Sequence, residues 1–322
     1  MKKVRFRIIL AVLCILLCSQ NVCAAQLLVP GGQVIGLELQ DHTVTVAAFD
    51  EAMGQEAKNC GLQIGDRIVT VNGKTVRSVQ DVRKALQSTD GETEISILRD
   101  GRAEKIRMQP QITEEGPRLG VYLKQGITGV GTVTWYDPAS GSFGALGHGV
   151  NDASGKLVDM EQGNVYPASV VMVKTGKSGS PGQLLSTVSG SGVIGTLSQN
   201  TVQGVFGSAE LSGKEEMLPV GQKEDVHTGT ATIRSTVAGD QVQEYSVEIL
   251  KVYPYSGANG RNMLIRVTDP ELLVATGGIV QGMSGSPLVQ DGKLIGAVTH
   301  VLVNDPTMGY GIFIENMLEA AG

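Results

Sequence analysis

Apolar and polar positions along this chain alternate in short runs punctuated by glycine. Val34-Ile35-Gly36-Leu37-Glu38-Leu39 and Val44-Thr45-Val46-Ala47 predict two short strands. The run Gly-Leu-Gln-Ile-Gly-Asp-Arg-Ile-Val-Thr-Val-Asn-Gly from Gly61 to Gly73 reads as a turn, a strand and an Asn-Gly hairpin signal. A helical period appears from Ser78 to Leu86, where Val79, Val82 and Leu86 share a face and Ser78 is suited to the N-cap. Glu94–Leu98 and Ala103–Met108 predict a hairpin around Asp100-Gly101. Residues 26–112 thus read as one small α+β unit, and Thr113–Pro117 as a polar linker. From 113 to 322 the pattern is of short β-like runs broken by glycine, such as Gly131–Tyr136, Ser169–Val173 and Tyr245–Leu250. Helical periodicity returns only at Glu315–Ala321, so a sandwich or a pair of barrels is expected there.

Composition agrees with a mainly β protein of about two domains: 43 of 322 residues are Gly and aromatics are sparse. Lys and Arg total 26 against 32 Asp and Glu, which argues against a nucleic-acid partner. The first 25 residues alter this balance. Lys2, Lys3, Arg5 and Arg7 precede an unbroken apolar run from Ile8 to Cys18, and Cys23-Ala24-Ala25 supplies small residues. That pattern predicts an export signal, cleaved or kept as an N-terminal anchor. Without it the chain carries 22 basic and 32 acidic residues, a net of −10, and Cys60 is the one remaining thiol. No intrachain disulfide is then available in the exported protein.

Candidate chemistry concentrates in two glycine-rich segments. His148 lies in Gly144-Ala145-Leu146-Gly147-His148-Gly149-Val150, where small neighbours leave room for an imidazole. Gly282-Met283-Ser284-Gly285-Ser286-Pro287 predicts a tight turn that exposes the Ser284 hydroxyl and aims the N–H groups of Gly282 and Ser284 at one point, as an oxyanion hole requires. A serine needs a base such as His148 to become a nucleophile, and the resulting imidazolium needs an orienting carboxylate. Gly176-Lys177-Ser178-Gly179-Ser180-Pro181 repeats the serine pattern, but Gly182-Gln183 follows it in place of an apolar strand, so a plain turn is expected. It is no phosphate loop either, because the first glycine of that motif would fall on Val171. His300 either lines the cleft or is an ordinary strand histidine. Gly278, six residues before Ser284, suggests an open pocket base; His42 and His227 read as surface residues. No zinc or calcium spacing occurs, and neither metal nor cofactor is expected.

The Gly61–Gly73 run followed by a helix resembles a PDZ domain, which binds a peptide or a C-terminus as an added strand. That resemblance implies that Ile35-Gly36-Leu37 forms the carboxylate-receiving loop. The Ser284 segment resembles the nucleophile loop of trypsin-like serine peptidases, and the chain as a whole resembles the stage IV sporulation protein B (SpoIVB) peptidases, strongest from Thr268 to Gly311. The resemblance implies an export signal (1–25), a PDZ domain (26–112) and a trypsin-like β-barrel peptidase domain (113–322), with His148, Asp269 and Ser284 as the triad. Asp269 lies only 15 residues before Ser284, and Asp137 and Asp305 are its rivals. It further implies secretion into the space between forespore and mother cell, cleavage of a membrane-associated regulator that releases sigma-factor processing, and self-cleavage gated by the PDZ domain. Two other readings stand beside it: a catalytically silent PDZ adaptor or scaffold, and an envelope quality-control protease, although the latter usually carries PDZ after its protease domain.

Overall fold

The computed structural model describes residues 26–88, 91–152, 155–188, 192–211, 216–255 and 261–322. The expected export signal, residues 1–25, lies outside the described residues. Strand β1 (Leu27–Pro30) leads into the 16-residue β2 (Val34–Phe49) and helix α1 (Gly54–Asn59). Next come β3 (Arg67–Val71), β4 (Lys74–Thr75), α2 (Val79–Gln87), β5 (Thr93–Arg99) and β6 (Arg102–Met108). A small hairpin, β7 (Gln111–Thr113) and β8 (Gly116–Arg118), occupies the expected linker and precedes the long β9 (Val121–Tyr136). Strands β10 (Ser142–Ala145), β11 (Gln162–Lys174), β12 (Gln183–Val188), β13 (Gly195–Thr201), β14 (Gly204–Ala209) and β15 (Leu218–Pro219) follow. The rest comprises β16 (Gly229–Thr236), β17 (Val242–Val252), β18 (Met263–Val267), α3 (Pro270–Thr276), β19 (Pro287–Gln290), β20 (Lys293–Leu302), β21 (Asp305–Phe313) and α4 (Ile314–Ala321).

Two barrels result. The pairings β9–β10–β14–β13–β11–β2, with β2 returning to β9, close a first ring of six strands. Strands β16-β17-β18-β21-β20-β19 form a second closed barrel. Each has its own core: Ile35, Val133, Phe143 and Val165 in the first, Ile233, Ile249, Ile265 and Leu288 in the second. Helix α4 buries Ile314 and Met317 against Leu28, Trp135, Phe206 and Ile312, a separate cluster with contributions from both barrels. Burying one such aliphatic side chain contributes roughly 1.5–3 kcal/mol. Among the described residues no helix is long and apolar enough to cross a membrane.

The N-terminal α+β unit grows out of the first barrel. Strands β2 and β9 pair from Val34↔Thr132 through to Phe49↔Val121, so one ladder serves both bodies. Its first part closes the barrel; its second part, with β3 to β6, α1 and α2, encloses a core that includes Val44, Val46, Ile68, Val82, Leu86 and Ile95. The unit expected over 26–112 therefore starts within β2 and ends within β9. The two short strands read at 34–39 and 44–47 are one strand with a register slip between Leu39 and Val44. There Asp41 Oδ1 accepts the Thr43 N–H at 2.8 Å, and Gly126 (φ 76°) passes so close that a Cβ would sit 1.9 Å from the Leu39 carbonyl oxygen. A bulge, rather than a turn, absorbs the polar Gln40–Thr43 stretch.

Local sequence signals inside this unit are realised. Ser78 caps α2 by accepting the Asp81 N–H, and Val82, Ala85 and Leu86 are buried. Asn72-Gly73 and Asp100-Gly101 all take positive φ, the geometry of two-residue hairpin turns. Asp66 of the Gly-Asp step is 1% exposed and receives both Nε and a terminal nitrogen of Arg99 at 2.7 Å, a bidentate clamp between the β3 entry and β5.

Candidate active site

The Ser284 loop, the candidate nucleophile loop, is assembled from glycines and held by both barrels. Helix α3 ends on Gly277 in the left-handed conformation, and Gly278 (φ 131°) follows. A Cβ on Gly278 would lie 2.2 Å from the Pro306 carbonyl oxygen, so this glycine permits a close backbone approach. It does not line the cleft as the open pocket base expected from its position. Gly282 (φ 100°) and Gly285 (φ 97°) bracket Ser284. Two threonines of β9 fix the loop: Thr132 Oγ1 donates to the Gly282 carbonyl at 2.7 Å and Thr134 Oγ1 to the Gly285 carbonyl at 2.8 Å. The Thr132 N–H also donates to the Ser284 carbonyl. Gly285 could be nothing larger, because a Cβ would stand 2.1 Å from Thr132 O and 2.5 Å from Leu146 N.

His148 is delivered by a strained turn. Leu146 (φ 70°) and Gly147 (φ 68°) are consecutive left-handed residues after β10. A non-glycine residue in that region costs about 1–2 kcal/mol, which the burial of Leu146 offsets. The Nδ1 of His148 lies 2.9 Å from the Gly149 carbonyl oxygen. A carbonyl only accepts, so Nδ1 carries the proton and Nε2 keeps its lone pair. Burial pushes the His148 pKa below its ordinary value, partly countered by that carbonyl. The ring is thus neutral at neutral pH, in the tautomer that a general base using Nε2 requires.

His148, Ser284, Gly282 and His300 line one cavity of about 480 Å³, with Leu37, Leu39, Ile127 and Val130 supplying an apolar wall. The sequence brings the first four together across the two barrels. Ser284 Oγ donates to the Thr299 carbonyl at 2.9 Å. Among the described residues the N–H groups of Gly282 and Ser284 have no acceptor, which leaves both available to an oxyanion. His300 lines the cleft: its ring centroid lies 5.6 Å from that of His148. Burial, with the neighbouring His148 and Arg261, pushes the His300 pKa down as well.

Asp269 is not brought to this pair. It caps α3, its Oδ1 accepting the Glu271 and Leu272 N–H groups and its Oδ2 accepting the Ser246 N–H. The physical reason is local: Thr-Asp-Pro-Glu is a strong helix start, and those three donors occupy the carboxylate. The acceptor at His148 Nδ1 is instead the Gly149 carbonyl. Asp137 and Asp305 are likewise engaged in their own turns, through Ser140 and Thr307. Among the described residues no three His, Cys, Asp or Glu side chains gather in a way that could hold a metal ion.

The serine-turn look-alike is structural. Ser178 Oγ donates to the Asn304 carbonyl at 2.8 Å within a Lys177–Ser180 turn. Its flanks brace the Ser284 loop, through Gly176 N to Thr276 O at 2.8 Å and Gln281 N to Gly182 O at 2.9 Å.

The peptide-binding loop also moves. Ile35, Gly36 and Leu37 are paired on both sides, to β9 and to β11, so their backbone groups are committed to ladders and cannot receive a carboxylate. Leu37 instead lines the cavity that holds His148 and Ser284. A second apolar-Gly-apolar triplet, Leu119-Gly120-Val121, opens β9 beside α2. Its Leu119 and Val121, together with Val79, Val82, Leu86 and Leu123, line a groove of about 340 Å³. Along Val121–Gln125, β9 pairs with β2 on one edge and with no described strand on the other. That free edge beside a helix is what strand addition needs. The triplet was legible in the sequence by the same pattern that drew attention to Ile35–Leu37.

Comparison with known proteins agrees with both bodies. The family profile described as SpoIVB peptidase S55 matches residues 115–318, and that for the PDZ domain matches residues 54–99. A Rhizobium meliloti (strain 1021) protein named as a zinc metalloprotease is 26% identical over 253 residues, which cover 76% of this chain and 60% of that protein. A Mesorhizobium japonicum protein of the same naming is 35% identical over 75 residues, 23% of this chain and 20% of that one. The chain thus spans 60% or less of these relatives, and its sequence lacks the His-Glu-x-x-His of zinc proteases. Among solved structures, Rv3671c protease in an inactive form shares 16% identity at a TM-score of 0.33, covering 60% of this chain and 84% of that one. The HtrA-type protease AlgW with a decapeptide shares 16% identity at 0.35, covering 65% and 57%. The S55 match takes in both His148 and Ser284 and most of both barrels, so the chain belongs to the SpoIVB peptidase S55 family and carries a PDZ domain at its N-terminal side.

Proposed function

We propose that this chain is an exported serine endopeptidase of sporulation signalling, with Ser284 as nucleophile and His148 as general base. The observation that carries the reading is that one cavity is lined by Ser284, by His148 with its Nδ1 on a carbonyl, and by Gly282, the Gly282 and Ser284 N–H groups having no acceptor among the described residues. In the reaction Ser284 Oγ leaves the Thr299 carbonyl, Nε2 takes its proton, and the oxygen adds to the scissile carbonyl. The Gly282 and Ser284 N–H groups receive the oxyanion, a kind of contact worth on the order of 10²–10³ in rate per donor. The imidazolium keeps its Nδ1–H on the Gly149 carbonyl and then protonates the leaving amine; water repeats the sequence to release the acyl group. A backbone carbonyl stabilises imidazolium less than a carboxylate does, so the resting geometry favours slow, controlled turnover.

The substrate in this reading is a membrane-associated regulatory protein in the space between forespore and mother cell, whose cleavage triggers sigma-factor processing. Self-cleavage near the N-terminus accompanies it. PDZ gating has a physical route: β9 floors the peptide groove at Val121–Leu123 and the catalytic cavity at Ile127–Val130. A digest of envelope proteins by wild type and by Ser284→Ala tests the reading; Ser284-dependent cleavage products support it, and identical digests overturn it.

One observation favours a second reading, a PDZ adaptor with a silent barrel pair: Ser284 is bonded to Thr299 rather than to His148, and among the described residues no carboxylate holds His148. Peptide capture without hydrolysis would select it.

A further inference from the structure

The catalytic cavity adjoins a second one of about 370 Å³, the two sharing His148, Gly149, Asn151 and His300. Leu157, Val202 and Arg261 complete this extension. Among the described residues that line the two cavities, Arg261 is the one side chain with a fixed charge, and none is Asp or Glu. Its guanidinium is stacked over the Tyr310 ring, 5.3 Å from the centroid. Tyr310 in turn pairs with His300 across the β20–β21 ladder, which sets the cation beside the strand that carries His300. Its field already reaches the site, since it contributes to the depressed pKa of His300.

We infer that Arg261 forms a specificity subsite for an acidic side chain of the substrate. The peptide would place an apolar residue against Leu37, Leu39 and Ile127 and, on the side of the scissile bond that runs past His300, an Asp or Glu carboxylate at Arg261. A planar guanidinium with five N–H donors can meet a carboxylate in a bidentate manner while stacked on an aromatic ring. In a chain with net charge −6 this local positive group is also the feature that would admit an acidic segment selectively. Because Arg261 is exposed, a preference of roughly three- to tenfold is expected rather than the larger factor of a buried pair.

This inference rests on the cleft being a peptide-binding site, so its test avoids catalysis. Full-length Ser284→Ala protein is equilibrated with a degenerate library of N-acetylated, C-amidated octapeptides, the amide keeping C-terminal carboxylates out of the PDZ groove. Retained peptides are then sequenced. Asp and Glu should be enriched at one position about three- to tenfold, lose that enrichment with Arg261→Ala, and be replaced by Lys and Arg with Arg261→Glu. Absence of acidic enrichment, or enrichment unchanged by both substitutions, overturns it. Fluorophosphonate labelling of the Ser284 protein separates the two failures: labelling without acidic preference overturns the subsite alone, whereas acidic preference without labelling supports the subsite and overturns the peptidase.

Discussion

Ser284 Oγ donates to the Thr299 carbonyl at 2.9 Å, on β20, the second strand after the Ser284 loop. The hydroxyl therefore has to rotate away from that carbonyl before His148 Nε2 can take its proton. Catalytic hydrogen bonds are commonly loose without substrate and tighten only in the complex. A substrate backbone N–H that engaged the Thr299 carbonyl would free the hydroxyl, coupling substrate arrival to activation.

The depressed His148 pKa sets a pH profile. Hydrolysis needs neutral imidazole, so activity should persist below pH 6.5, the ordinary histidine value, and fall only at a lower midpoint. Stability follows the same sign. Both His148 and His300 have folded pKa values below the unfolded one, so their contribution is complete above about pH 6.5 and is lost as pH falls toward the folded values. Rate–pH and melting–pH curves check this; an activity midpoint above 6.5 would contradict it.

Asp269 should behave as a helix cap. Asp269→Ala is expected to lower stability by about 1 kcal/mol, and Asp269→Asn by less, since asparagine also caps. Reaction of Ser284 with a fluorophosphonate should change by no more than a few-fold in Asp269→Asn. A loss near 10⁴, the size seen when a triad carboxylate is removed, would show that the carboxylate reaches His148 in the working conformation.

Gly285→Ala tests the bridge between barrels. The added methyl meets Thr132 O and Leu146 N, backbone atoms that cannot step aside, at a φ of 97° that alanine resists. A destabilisation of roughly 2–4 kcal/mol is expected, read by denaturant midpoint, with loss of labelling at Ser284. Gly179→Ala, whose Cβ would meet open space in the look-alike turn, carries only the strain of its φ of 78° and should cost less.

The Asp66–Arg99 clamp should hold the PDZ domain together. Asp66 is buried while Arg99 stays partly exposed. Arg99→Ala strands the carboxylate and should cost about 3–5 kcal/mol, seen as earlier proteolysis within residues 44–125. The double variant Asp66→Asn/Arg99→Ala should recover part of that loss, because no buried charge then remains unpaired.

Much of this molecule was legible because its signals are local. Ser78 with Val82 and Leu86 specified α2, Asn72-Gly73 and Asp100-Gly101 specified hairpins, and the glycines around Ser284 specified the exposed turn. What escaped depended on distant partners. Gln40–Thr43 looks like a break between strands, and only the ladder with β9 across Gly126 shows that β2 passes from barrel to PDZ without ending. Ile35-Gly36-Leu37 and Leu119-Gly120-Val121 have the same pattern; which one borders a groove is decided by β11, which covers the first. Gly278 looked like an open pocket base, but Pro306, 28 positions later, fills the space. The family resemblance implies a triad role for Asp269, whereas its immediate neighbours Pro270 and Glu271 describe a helix N-terminus.

The most direct measurement is mass-spectrometric mapping of a fluorophosphonate adduct on the full-length protein at neutral pH. Modification at Ser284, abolished in Ser284→Ala and slowed by several orders of magnitude in His148→Ala, with Ser178 untouched, is the expected result. An adduct on Ser178, or labelling of Ser284 indifferent to His148, would contradict the assignment of nucleophile and base.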